Sequence, residues 1–290
     1  MNKIAAIARL TRIEHSAMLI IAVLAGELIS GGIPQLQTLA LSMITPIFVS
    51  MGSFAINDYF DVEADIANRR MNRPIAAGHI KMKEALAVAI ASFVIGVAAS
   101  AFINVYASAI ALIFAALAVL YSYRMKEMLL VGNVYIALSM VIPFIYGNFV
   151  VASSINYNII LISIIIFLAG LAREIHGMVR DYEGDKKARN VRNLVFHVGE
   201  RKSSAFALTL YCEAIAISIF MFFFMKPFAG NIFYLGAITI VDAMLLYVAI
   251  GSLRNGSSRR FSDMSRNISL GAMALALVVY LISPLLHLAL

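Results

Sequence analysis

Asn57-Asp58-Tyr59-Phe60-Asp61-Val62-Glu63-Ala64-Asp65-Ile66-Ala67-Asn68-Arg69-Arg70-Met71-Asn72-Arg73-Pro74 follows directly on an apolar run, so it stands where a membrane helix meets water. Read as helix, Asn57, Asp61 and Asp65 recur at i, i+4 and i+8 and fall on one side. These three oxygen-bearing side chains are followed at once by Arg69, Arg70 and Arg73. Carboxylate and amide oxygens suit a hard cation such as Mg²⁺, and guanidinium groups suit phosphate oxygens. The pattern is that of a site for a metal-bound, multiply charged anion.

Composition agrees with a membrane setting. Of 290 residues, 62% are hydrophobic and 13% charged, with a mean hydropathy of +0.89. Soluble domains carry about 25% charged residues. Apolar runs of roughly 18–22 residues, each enough for a ~30 Å hydrocarbon core, recur along the length. Nine are read, at about 13–30, 38–57, 84–104, 106–123, 131–152, 158–176, 203–225, 231–252 and 267–289. The expectation is an all-α polytopic membrane protein, one transmembrane domain over 1–290. Cys212 is the only cysteine and lies inside a run, which excludes an intrachain disulfide or a cysteine metal site.

The net charge of +7 does not point to nucleic acid, because its distribution follows the membrane. With nine spans, the N-terminal segment and the links after runs two, four, six and eight share one side. That side holds 22 of the 23 Lys and Arg residues, and only Lys226 falls on the other. By the positive-inside rule the N-terminus and these links are cytoplasmic and the C-terminus is opposite. A wrong span count would scatter the charges over both faces.

Two cytoplasmic links, 58–83 and 177–202, are long and carry nearly all the acids outside the runs. Links of that length are usually functional, and these read as helical extensions and caps. The second acidic cluster, running from the end of the sixth run into the second of these links, is Arg173-Glu174-Ile175-His176-Gly177-Met178-Val179-Arg180-Asp181-Tyr182-Glu183-Gly184-Asp185. Asp181 and Asp185 are again i, i+4 at the same end of a run, 124 residues and four helices after Asp61. This implies a weak internal repeat, with halves about 1–130 and 131–290. Two such helices face to face bring four to six oxygen ligands to one place at the membrane surface.

Blander readings stand beside this one: a solvated helix end for the acids, and topology signals for the arginines. Tyr121, Tyr123 and Lys126 are placed to reach a phosphate from the rim, or to form an aromatic belt beside a topology lysine. His176 reads equally as a ligand, a base or an interfacial histidine. Glu27, Glu213 and Asp242 lie within apolar runs, where an ionisable residue draws functional suspicion. Taken as a relay, they define the competing function, a cation- or proton-coupled transporter. Against it, the acids gather at one surface and arginines accompany them.

The first motif resembles the Asn-x-x-x-Asp-x-x-x-Asp, Asn-x-Arg-x-x-Arg-Pro signature of the UbiA-type intramembrane prenyltransferases. It is carried here by Asn57, Asp61, Asp65, Asn68, Arg70, Arg73 and Pro74. The second motif is similar to that family's second aspartate motif, with Arg173-Glu174 before it and Asp181 to Asp185 closing it. Tyr121-Ser122 to Lys126 and Gly132-Asn133 also look like family positions. The chain departs from the pattern at Met178, where an aspartate is common, at Gly177, where a lysine is common, and at Asn193-Leu194-Val195.

The resemblance implies nine helices around a central cavity capped on the cytoplasmic side. It also implies Mg²⁺-dependent transfer of an isoprenoid chain from its diphosphate to a lipophilic acceptor within the membrane. Asn57, Asp61, Asp181 and Asp185 would be the catalytic, metal-facing core, with Asp65 as a further metal ligand. Arg70, Arg73, Lys126, Asn68 and Tyr123 would contact the diphosphate. The acceptor would be an aromatic quinone precursor or geranylgeranylglyceryl phosphate, and no protein partner is required.

Overall fold

The computed structural model describes the backbone of residues 2–187 and 194–289, and the side chains of these except 183–187, 259, 288 and 289. Among the described residues, nine helices are long and apolar enough to cross a membrane. A short leading helix, α1 (Lys3–Thr11), precedes α2 (Ser16–Ser30), α3 (Leu36–Ala67), α4 (Met82–Ala101) and α5 (Val105–Tyr123). Then follow α6 (Val131–Val151), α7 (Tyr157–Lys187), the short α8 (Leu194–Val198), α9 (Glu200–Phe224), α10 (Ile232–Asn255) and α11 (Arg259–Ala289). The third and fourth apolar runs, separated by only one residue, are two distinct helices. Asn104 caps α5 by accepting the Ala107 N–H at 2.8 Å, which starts a new helix where the apolar pattern barely pauses.

The helices close into a ring. α2 packs on α3 and α6, α3 on α4 and α5, α6 on α7, α7 on α9, α9 on α10, α10 on α11, and α11 returns to α2. In lipid the hydrophobic effect does not drive helices together, so close backbone approach does much of the work. At the α2–α6 crossing a Cβ on Gly147 would stand 2.2 Å from the Val23 carbonyl oxygen, and one on Gly26 would stand 2.4 Å from that of Phe144. Only glycine fits at either point. Pro46, Pro143 and Pro284 sit inside α3, α6 and α11, tolerated because neighbouring helices shelter the freed carbonyls.

α3 and α7 run to 32 and 31 residues, well beyond the span length of about 20, so both motifs ride on helical extensions. Between α3 and α4 the chain folds back over the basic end of the bundle. Ile75 and Ile80 are buried with Ala6 and Leu10 of α1, Ile56 and Val62 of α3 and Ala85 of α4. This apolar pin holds the arginine-rich link down as a cap.

Candidate functional site

α3 ends in a Schellman motif. Arg69 N–H donates to the Ile66 carbonyl at 3.0 Å and Arg70 N–H to that of Asp65 at 2.9 Å. Glycine is usual at the left-handed position, but here Arg69 holds it with φ of 53°. The reversal turns Arg70 back over its own helix, where Nη1 meets Asp65 Oδ1 at 3.2 Å.

The acids of α3 form two rows. Asn57 Nδ2 donates to Asp61 Oδ2 at 2.9 Å, and the other oxygen of Asp61 is held by Lys126. Asp58 and Asp65 are buried, 2% and 1% exposed, and are bridged by Arg73. Arg73 Nη1 donates to Asp58 Oδ1 at 2.6 Å, while its Nε lies 3.7 Å from Asp65 Oδ2. Helical rotation of about 100° per residue explains the split: Asp65 lies about 20° from the direction of Asp58 but about 80° from that of Asn57. The i, i+4, i+8 reading drifts by that amount over two turns.

Asp58 is the residue the sequence reading passed over. It also accepts from Arg12 Nη2 at 3.1 Å, and the Arg12 guanidinium carbon lies 4.5 Å over the Phe54 ring. Asp58 thereby clips the start of the chain to the first motif. No spacing rule signals a contact across 46 residues.

Lys126 is set by its own turn. After the 3₁₀ segment Met125–Glu127, α6 begins so close beneath that a Cβ on Gly132 would lie 3.1 Å from Lys126 Cα. The next residue, Asn133, donates to Glu174 Oε2 of α7 at 3.4 Å, which ties the Lys126 turn to the second motif.

On α7, Arg173 Nη1 lies 3.5 Å from Glu174 Oε1. Arg180 grips Asp181 with two bonds of 2.7 and 2.8 Å. Asp181 is half exposed, and Met178 is buried at 9%. Asp185 belongs to α7, but its side chain lies outside the described residues, as does Asn193 of the divergent stretch. Both nitrogens of His176 are buried without a hydrogen-bond partner, and its ring lies 5.6 Å from that of Tyr211.

These walls face a cavity of about 1230 Å³. Arg70, Arg73 and Lys126 line one side, Arg173, Glu174, Arg180 and Asp181 another, and Ser262, Ser265, Arg266 and Ser269 of α11 a third. Asp61 stands behind Lys126, and Asp65 behind Arg70 and Arg73. Two other expected contacts lie elsewhere. Tyr123 is exposed and rests 5.7 Å from the Phe60 ring. Asn68 is exposed and donates its amide to the Ala64 carbonyl at 2.9 Å, within its own helix.

Farther along α7, α10 and α11 lies a second, apolar chamber of about 170 Å³, enclosed also by α2, α6 and α9. Ile165 and Ala169, then Ala272, Ala276 and Leu277, line it. Asp242 stands in its wall, accepting from Ser218 Oγ at 2.9 Å. Glu27 is fully buried with neither oxygen hydrogen-bonded, whereas Glu213 is exposed. No hydrogen bond joins Glu27, Glu213 and Asp242 among the described residues, which leaves the relay of the competing transporter function without a connection.

Comparison with known proteins fits this architecture. Residues 18–271 match the family model described as the UbiA prenyltransferase family. The chain belongs to that family. It is 36% identical to the digeranylgeranylglyceryl phosphate synthase of Archaeoglobus fulgidus over 93% of this chain and 92% of that protein. It is 31% identical to the synthase of the same name from Thermococcus kodakarensis, over 94% and 96%. A solved structure reported for digeranylgeranylglyceryl phosphate synthase in membranes superposes with a TM-score of 0.81 at 27% identity, covering 98% and 99% of the two chains. A UbiA homolog from Archaeoglobus fulgidus bound to GPP and Mg²⁺ shares the fold, with a TM-score of 0.64 at 21% identity over 95% and 99%.

This UbiA-family chain is an integral membrane prenyltransferase. It transfers an isoprenoid chain from a prenyl diphosphate to a lipophilic acceptor.

Proposed function

We propose that the enzyme transfers a geranylgeranyl group from its diphosphate to the free hydroxyl of geranylgeranylglyceryl phosphate, releasing diphosphate. The observation that carries this reading is the near full-length similarity to digeranylgeranylglyceryl phosphate synthases. The cavity is consistent with it: six cations against three carboxylates line a space that must take two phosphorylated substrates. An apolar chamber along the same helices spares isoprenoid tails from water.

In the reaction the bond between the allylic carbon and the diphosphate oxygen breaks, and its electrons leave with the diphosphate. The acceptor hydroxyl oxygen forms the new ether bond and gives up its proton. Arg70, Arg73 and Lys126 bind the leaving group and stabilise its growing charge. Each of these cations is paired with a motif carboxylate, so substrate binding is an exchange of partners. The arginines and lysine turn to phosphate oxygens, and the carboxylates they release are left to a cation.

Asn57, Asp61, Asp181 and Asp185 would hold Mg²⁺, with Asp65 a further ligand once its arginines turn away. The donor set fits, being all oxygen. Among the described residues no three acidic or histidine side chains form a ready-made cage. Mg²⁺ typically uses one or two carboxylates with substrate phosphates and water, so two walls closing on a diphosphate suit it. When bound, the ion neutralises diphosphate charge and makes it a better leaving group. The basic end of the bundle is assigned to the cytoplasm and the C-terminus to the opposite side, from the Lys and Arg asymmetry. The overlong α3 and α7 support the four-helix repeat within a single domain.

The test is purified full-length enzyme with geranylgeranyl diphosphate and geranylgeranylglyceryl phosphate, read by product mass. The expected result is digeranylgeranylglyceryl phosphate formed with Mg²⁺ and lost on chelation. Turnover with a hydroxylated aromatic acid but none with the glyceryl phosphate contradicts the assignment.

A further inference from the structure

We propose that the face of α11 presenting Ser262, Ser265, Arg266 and Ser269 is the subsite for the acceptor's phosphate group, and that it binds this group without a metal. The inference rests on the acceptor assigned above, and adds where its charged end is held.

The four residues fall at i, i+3, i+4 and i+7, so they form one stripe along the helix. All four line the large cavity. The serines are 6%, 8% and 3% exposed, so this wall is packed in place rather than a solvated fringe. Their chemistry differs from that of the other two walls. The first wall brings Arg70, Arg73 and Lys126 backed by the α3 carboxylates Asp65 and Asp61, and α7 brings both cations and carboxylates, which is what a metal–diphosphate complex needs. The α11 stripe brings hydroxyl and guanidinium donors and no carboxylate, which suits an anion taken up by hydrogen bonds alone.

The cations differ in the same way. Arg70, Arg73, Lys126, Arg173 and Arg180 each meet an acidic side chain within the ion-pair distance. Arg266 makes no ion pair among the described residues, so it offers its charge without first giving up a partner. Two hydroxyls are held in reserve: Ser265 Oγ donates to the Ser262 carbonyl and Ser269 Oγ to the Arg266 carbonyl, each at 2.9 Å. Rotation about the Cβ–Oγ bond re-aims either hydrogen at a ligand oxygen.

Continuity along α11 singles out a lipid phosphate. One to three turns beyond Ser269, the same helix supplies Ala272, Met273, Ala276 and Tyr280 to the apolar chamber. From Ser269 to Tyr280 the rise is about 16 Å. A molecule with a phosphate on Arg266 and an isoprenoid chain laid along α11 has each part in matching surroundings. Inorganic phosphate satisfies only the upper half.

The test compares two acceptors, geranylgeranylglyceryl phosphate and the same lipid without its phosphate, in full-length parent, Arg266→Gln and Ser265→Ala/Ser269→Ala enzymes with Mg²⁺. Pairing a ligand change with a protein change isolates their mutual interaction. The parent's preference for the phosphorylated acceptor in kcat/KM is expected to fall about 10- to 100-fold in Arg266→Gln. The Arg266→Lys variant is expected to recover part of it, and the KM for geranylgeranyl diphosphate is expected to stay within about twofold of the parent. An unchanged preference overturns the subsite, as does a loss confined to the diphosphate KM. A merely structural role lowers both acceptors' rates together and leaves the ratio intact, which also overturns it. Failure of the acceptor assignment itself is seen separately, as a parent that does not prenylate the phosphorylated lipid at all.

Discussion

Replacing Asp58 by alanine removes the carboxylate that joins the start of the chain to the first motif. Asp58 is 2% exposed, and one of its oxygens takes both Arg73 at 2.6 Å and Arg12 at 3.1 Å. Breaking a buried ion pair costs about 3–5 kcal/mol, because the abandoned charge stays buried. Here the arginine side chains keep 26% and 22% exposure and can regain water, which brings the cost to about 2–3 kcal/mol. At about 2–4 °C per kcal/mol for a chain of this size, the unfolding midpoint falls by about 4–12 °C. The assay is thermal denaturation of the full-length protein in detergent at one fixed scan rate, since membrane proteins often unfold irreversibly. Asp58→Asn keeps one acceptor oxygen and falls less, whereas Glu63→Ala on the exposed face leaves the midpoint in place. An Asp58→Ala protein that melts with the parent refutes the claim that this bridge holds α1 and Arg73 to α3.

Lys126→Met takes one cation out of the cavity and frees Asp61. It raises the KM for the prenyl diphosphate about tenfold or more, and an unchanged KM contradicts the proposed contact. Arg69→Gly relieves a left-handed residue that costs roughly 1–2 kcal/mol, partly offset by glycine's freedom in the unfolded chain. The midpoint therefore holds or rises by a few degrees with substrate KM values unchanged, and a fall in the midpoint contradicts the account of the helix end.

The bundle was legible in the sequence because bilayer thickness sets a length that an apolar run must meet, and each described span coincides with such a run. The extension of α3 past its apolar part was legible too, since the acids keep helical spacing up to Asp65. What spacing could not tell is which of two adjacent acids turns inward. Asp58 and Asp61 differ by less than a turn. Packing against Arg12 and Arg73 buries the first, and Lys126 takes the second. The α11 wall was hidden for another reason. Its three serines and one arginine carry no motif, and read in sequence they are only the end of a basic link and the start of the last apolar run. Their meaning depends on a cavity that appears once α11 closes the ring. Tyr123 shows the reverse case, since a tyrosine three residues from Lys126 at a helix end turns outward to Phe60.

The central claim is that carboxylates from α3 and α7 act together on one metal-bound diphosphate. It is tested most directly by turnover of geranylgeranyl diphosphate with Mg²⁺ in folded Asp61→Ala and Asp185→Ala enzymes. The account predicts a fall of about 100-fold or more in kcat/KM for each. Either variant turning over at the parent's rate contradicts it.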